Sequence, residues 1–273
     1  MSIRIPVGLC AVSALILLSA AFPAEARRRS VGKGTFVVTP PPPPPTGGCH
    51  TFGLVKNGTK ATYRSTSSSG TANYTINYVS MTQTQTKTTQ TVSTPQGNAE
   101  ATTTVDDEII GTLRATKHID VQTVITVPVL GKLTTEVDID FLPSLVTGPA
   151  AGWCAGNTWT VPTSNETIVT KAPFATPITT FAVAVGGTGE VLAVGESVTV
   201  PAGTFRTVKY RSVFLANNVV SPSVSWMSMD HNVLVKQDSY DASGTNIVTA
   251  TQLTNLVSPS GLVQLPGLEA EQD

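Results

Sequence analysis

From Lys132 to Phe141 the chain reads KLTTEVDIDF. Leu133, Thr135, Val137, Ile139 and Phe141 fall on one side of an extended backbone, and Thr134, Glu136, Asp138 and Asp140 fall on the other. Successive strand side chains point to opposite faces, so this is the pattern of a strand with one buried and one wet side. The same period returns in ANYTINYV, which groups Tyr74, Ile76 and Tyr78, and in VQTVITV, which groups Val121, Thr123, Ile125 and Val127. No segment carries a sustained 3.6-residue apolar stripe, so helices are expected to be few and short. Many long strands separated by Gly, Pro, Asn and Ser clusters predict an all-β antiparallel meander, either a closed β-barrel or a strongly curved half-barrel.

Several local expectations follow from the same reading. TQTQTKTTQTVST, residues 82–94, favours extended backbone through its β-branched threonines, yet nearly all its side chains are polar. It is expected to be an exposed strand with two wet faces and weakly specified register. Read as a strand, residues 108–120 put His118 and Asp120 on one face, with Asp106-Asp107-Glu108 as a turn of solvated charge. Gly58-Thr-Lys-Ala-Thr-Tyr63 has a weak echo in Gly156-Asn-Thr-Trp-Thr-Val161. Two related halves and chance in a Thr-rich chain account for it equally well.

Composition divides the chain into four parts. Arg4, the apolar run VGLCAVSALILLSAAF and Ala24-Glu25-Ala26 make residues 1–26 a secretory signal peptide. A retained membrane anchor is disfavoured, because the run is short for a span and Pro23 follows it. No small-residue lipobox precedes Cys10, which argues against a lipid anchor. Residues 27–48 are a linker of basic residues followed by Pro40 to Pro45, a run that favours extended polyproline. The β domain is expected over residues 49–256. The tail 257–273 loses the alternation, carries Pro259, Gly261, Pro266 and Gly267, and is expected to be mobile.

A formal net charge of -1 and only 13% charged residues exclude nucleic acid as a partner, because its binding needs a concentrated cationic surface. Export leaves Cys49 and Cys154 as the remaining cysteines, and an even pair in an oxidising compartment reads as a disulfide.

The stretch VTVPAGTFRTVKYRS, Val198 to Ser212, interrupts two strand patterns with Pro201-Ala202-Gly203-Thr204. Pro201 fixes its own φ and pushes Val200 into extended backbone, while Gly203 permits positive φ. The stretch is a structural corner without a nucleophile or acid–base pair. Glu196-Ser-Val-Thr-Val-Pro-Ala-Gly-Thr-Phe205, then Trp226, then Leu234-Val-Lys236 resembles the TapB-like group of exported bacterial proteins. Gly156-Asn-Thr-Trp159 looks like the opening of the same module. The likeness covers roughly residues 150–255 and departs at Val233, where the group usually has glycine. It implies an envelope-associated barrel or half-barrel similar to lipoprotein-carrier and lipocalin-like folds, with no catalytic residues to carry over.

Catalytic and metal chemistry find no pattern in the sequence. His50, His118 and His231 lack His-x-His or Cys-x-x-Cys partners, so no metal site is expected. Gly-x-Ser-x-Gly, a phosphate loop and a zinc-peptidase motif are absent from the sequence. Cys49 and His50 are strand neighbours and point apart. Glu136, Asp138 and Asp140 read as the wet face of a strand rather than a calcium site. The chain is therefore expected to be a non-catalytic, cofactor-free, periplasmic or secreted protein of the bacterial cell envelope. It is expected to bind a lipid or other apolar or amphipathic ligand through Tyr74, Tyr78, Phe141, Phe205 and Trp226. The competing reading is a surface or structural protein that presents a Thr-rich β domain on a polyproline stalk to an envelope partner.

Overall fold

The computed structural model describes residues 48–94, 97–127, 131–172, 178–216 and 219–259. The expected signal peptide, nearly all of the expected linker and the chain beyond Pro259 lie outside these residues. In chain order the strands are β1 (Cys49–His50), β2 (Lys60–Ser67), β3 (Gly70–Met81), β4 (Gln85–Thr94), β5 (Gly97–Ile110), β6 (Leu113–Val127) and β7 (Gly131–Pro149). They continue with β8 (Trp153–Cys154), β9 (Thr158–Lys171), β10 (Ile178–Val200), β11 (Gly203–Ala216), β12 (Val219–Ser228), β13 (Leu234–Tyr240) and β14 (Ile247–Val257). No helix occurs among the described residues.

Twelve of the strands close into one antiparallel barrel. Consecutive strands pair throughout, β7 meets β9, and β14 returns to β2. Between a barrel and a half-barrel, the closed form is the one adopted. β1 and β8 stand apart as a two-residue ribbon with Cys49 opposite Cys154, and these two cysteines are disulfide-bonded with Cα atoms 4.0 Å apart. The two barrel halves, β2 to β7 and β9 to β14, open alike. Gly58 has φ 84° and Gly156 has φ 85°, a region that glycine enters without steric cost. Gly58 donates its N–H to Tyr78 O and Tyr78 donates back to Thr59 O; Gly156 donates to Val191 O and Val191 donates back to Asn157 O. The weak sequence echo thus marks the same local entry into each six-strand half.

Alternation decides what faces the lumen. Val121 pairs with Val137, Ile119 with Ile139, and Ile139 with Ile168, so the apolar sides of β6, β7 and β9 line up and pack with Ala101 and Phe141. On the outward side of the same strands, His118 Nδ1 meets Asp140 at 2.8 Å and Lys171 Nζ meets Asp138 at 2.9 Å. The Glu136-Asp138-Asp140 face is accordingly the outer wall.

Three local expectations are corrected. Residues 82–94 do not have two wet faces: β4 is a barrel stave, and Gln90 is buried in register with Ala101 and Ile76. Closure gives even a threonine strand an inner side. Asp106-Asp107-Glu108 is not a turn, because these residues belong to β5 and the reversal falls at Gly111, φ 62°. Residues 108–120 therefore span the β5–β6 hairpin rather than one strand. Asp107 is buried because Arg114 Nε donates to it at 2.9 Å and Thr116 Oγ1 at 2.7 Å. Opposite charge and hydrogen bonds offset the desolvation of a carboxylate.

The Pro-Ala-Gly-Thr corner is the tip of the β10–β11 hairpin, with Val200 paired to Gly203 and Val198 to Phe205. Register shifts in β10 between Val191 and Ala193 and between Val194 and Glu196 bend this hairpin. Its tip packs Val198, Val200, Ala202 and Phe205 against Val55, Tyr63, Val233, Val235 and Leu253. Ala202 also donates its N–H to Leu253 O at 3.3 Å. One end of the barrel is thereby covered.

Candidate functional site

The covered end is also plugged by aromatic rings. Phe52 meets Trp153 edge-on at 5.3 Å, and Trp153 in turn meets Tyr210 at 5.1 Å and Trp159 at 5.6 Å. The plug is held by the disulfide, since Trp153 belongs to β8 and Phe52 lies two residues after β1. Rings of this size dominate local burial and prefer such edge contacts. His50 stacks edge-on with Phe52 at 4.8 Å, and burial lowers its pKa.

Above the plug the lumen has two kinds of wall. The wall of β5, β6, β7 and β9 is the apolar cluster of Ala101, Val121, Val137, Ile139 and Phe141. The opposite wall is hydroxylic. Ser212, Ser223, Ser225, Gln237, Thr251 and Ser65 succeed one another in register across β11, β12, β13, β14 and β2. Ser212 and Ser223 hydrogen bond at 2.9 Å, Gln237 Nε2 donates to Ser225 Oγ at 3.1 Å, and Thr251 Oγ1 donates to Ser65 Oγ at 3.2 Å. Where the walls meet on β2 and β3, Tyr63 stacks on Tyr74 at 5.3 Å. Burial pushes the hydroxyls of Tyr74 and Tyr78 up to about 12 and raises that of Tyr63 well above its ordinary value.

On β2, β3 and β14 the exposure of the inward-facing residues grows away from the plug. On β2, Ala61 and Tyr63 are buried while Ser65 and Ser67 are partly exposed; on β3, Tyr74 is half-buried and Ala72 exposed. On β14 the order runs from buried Leu253 and Thr251 to partly exposed Thr249.

One ionisable group lies inside the apolar wall. Glu166 of β9 pairs in register with Phe141 and Val183 and is only 4% exposed. Its Oε1 has no hydrogen-bond partner, and burial raises its pKa. Among the described residues no group of three or more His, Cys, Asp or Glu side chains is placed to hold a metal ion.

The structure separates the residues singled out in the sequence. Tyr74, Tyr78 and Phe141 have inward register, as do Ile76, Val137, Ile139 and Val235. Phe205 sits at the hairpin tip, packed on the covered end and edge-on to His231 at 6.1 Å, outside the lumen wall. Trp226 does not turn inward. Its strand neighbour Ser225 does, so Trp226 faces out, with Lys236 Nζ 4.6 Å and Lys209 Nζ 5.1 Å from its ring. The lysine stems cover the indole and their ammonium groups lie on its π face. On β9, β10 and β11, Thr158, Thr160, Thr188, Glu190, Arg211 and Val213, with Trp159 and Gly189, line a pocket of about 280 Å³.

Glu166 and the hydroxyl wall escaped sequence reasoning. Their signals were SPSVSW, which places Ser221, Ser223 and Ser225 at period two, and SNETIV, which places Ser164, Glu166 and Ile168 together. Both runs look like ordinary polar-out strands until closure shows which side is inside.

No family model matches the chain, and no curated protein matches it. The TapB-like resemblance therefore rests on its short phrases alone. Among solved structures, the chain is similar to a candidate exported protein with a YmcC-like fold from Bacteroides fragilis NCTC 9343. The identity is 10%, the match covers 77% of this chain and 100% of that one, and the TM-score is 0.33.

Proposed function

We propose that this is an exported, non-catalytic protein of the cell envelope whose barrel holds an amphipathic ligand, a lipid or a molecule of similar build. The observation that carries the reading is the two-walled lumen, apolar on β5 to β9 and hydroxylic on β11 to β2, plugged at one end and lined on β2, β3 and β14 by residues that grow more exposed toward the other. Inward side chains just fill a barrel of about eight strands, so twelve leave width beyond what the walls occupy. Ligand sites combine a mostly apolar lining with a few placed polar groups, as these walls do. Charged pairs such as Lys171–Asp138 on the outer face suit a barrel surrounded by water rather than by lipid tails. A disulfide across 105 residues suits an oxidising compartment, in line with the signal-like N-terminus. The TapB-like phrases at Val200–Phe205 and Leu234–Lys236 point the same way.

Native mass spectrometry of protein purified from the envelope tests the proposal. A co-purifying small amphiphile is the expected result. A bare chain that also leaves tryptophan emission unchanged with every lipid class added would overturn it, and a co-purifying protein subunit would favour an interaction role.

A further inference from the structure

We infer that Glu166 meets the polar end of the ligand, and that this end carries a cationic N–H donor, as a primary amine does. The inference rests on the amphiphile reading above and specifies its head group. Glu166 is nine-tenths buried on the inward side of β9, and its Oε1 is unpartnered. Buried polar groups are almost always hydrogen-bonded, and no protein group reaches this oxygen, so its partner is a water or a ligand. The neighbours do not supply one. Its register partners are Phe141 and Val183, and the inward residue two positions on is Ile168. The hydroxyl of Ser164, two positions back, already donates to Pro143 O.

The surroundings select among head groups. Ile139, Phe141 and Ile168 give an alkyl tail an apolar bed beside the carboxyl group. An ammonium supplies both the missing hydrogen bond and the counter-charge that a buried carboxylate lacks. A fatty carboxylate would place like charge against Glu166. A neutral alcohol would bring a hydrogen bond without charge. Hydrogen bonds to charged groups contribute about 1.5–3 kcal/mol, so the amine should bind roughly tenfold tighter or more than its carboxylate counterpart.

The experiment measures binding of dodecylamine, dodecanol and dodecanoate, at concentrations below micelle formation, by calorimetry on the intact domain. The expected order is amine, alcohol, carboxylate. Glu166→Gln keeps the shape and should bring the amine and alcohol within a few-fold of one another, chiefly by weakening the amine. Glu166→Leu, a second variant should the first fold poorly, should do the same. Asp140→Asn on the outer face is the control and should preserve the order. Equal affinity for all three probes in the unaltered protein would overturn the inference while the amphiphile reading stands. A preference that survives in both Glu166 variants would do so too. Binding of none of the three would remove both.

Discussion

The indole of Trp159 on β9 lies over the backbone of Gly189 on β10, its partner in register, so closely that a β-carbon at residue 189 would overlap the ring. Gly189 is not at positive φ, so the glycine supplies space rather than unusual backbone. Gly148 plays the same part beneath Trp153, where an added β-carbon would stand 2.9 Å from the ring. The aromatic plug is thus built on two residues with no side chain. Gly189→Ala should destabilise the barrel by about 1–3 kcal/mol through overpacking. In urea unfolding the loss should shrink when Trp159→Ala is combined with it, because the pair is in direct contact. Additive losses would show that the ring does not determine the glycine.

The disulfide prediction follows from where Trp153 sits. Cys49 and Cys154 hold β1 against β8, and that ribbon carries the ring that fills the plug. In the chain-entropy model a crosslink closing about 100 residues stabilises by up to ~4.7 kcal/mol, and removing a native disulfide commonly costs about 2–5 kcal/mol. Cys49→Ala with Cys154→Ala should lower the thermal midpoint by a corresponding amount and leave far-ultraviolet circular dichroism strand-like. Thiol titration of unreduced, denatured protein should find neither cysteine free.

Tyr63, Tyr74 and Tyr78 predict how the fold fails in alkali. Burial raises all three, Tyr74 and Tyr78 to about 12, against about 10 for an unfolded tyrosine. A raised acid is stabilising as its neutral form, so this contribution is complete below pH ~10 and is lost as the pH climbs through the folded values. Circular dichroism should therefore collapse between about pH 10 and 12, together with a steep rise in tyrosinate absorbance. Ordinary titration near pH 10 with the fold intact would contradict the burial of this trio.

Strand identity was legible in the sequence because period two is a local property, and Leu133 to Phe141 or Tyr74 to Tyr78 need no tertiary knowledge to declare a face. Closure was less so. Residues 82–94 carry almost no apolar signal, and only pairing with β3 and β5 makes Gln90 an inner residue. Trp226 shows the opposite failure. A large aromatic on a strand argues for the inside, yet here a serine series occupies the inner positions and two lysine stems shield the ring outside. Asp107 was misplaced because its partners Arg114 and Thr116 lie across a hairpin whose turn was not recognised. Pairwise relations of this kind are absent from the one-dimensional pattern. The Cys49–Cys154 link was legible because elimination left a single pair.

Glu166 should betray its strain in the pH dependence of stability. The inward groups beside it on β7 and β9, Ile139, Phe141, Ser164 and Ile168, carry no charge, and burial raises its pKa above the ordinary carboxyl value. A raised carboxyl stabilises the fold fully only below its unfolded pKa near 4.3, and the contribution is lost as the pH rises through the folded value. Once the pH passes the folded value the group is ionised without compensation from these neighbours, whereas Glu166→Gln stays neutral. The variant should be more stable than the parent at pH 7 by about 1–2 kcal/mol, the order of an unmet buried hydrogen-bonding group. The gap should close as the solution is acidified toward pH 4. Thermal melts of the two proteins across this range check it. A variant less stable than the parent at pH 7 would mean that the carboxylate is already compensated within the fold, and that no ligand is needed to meet it.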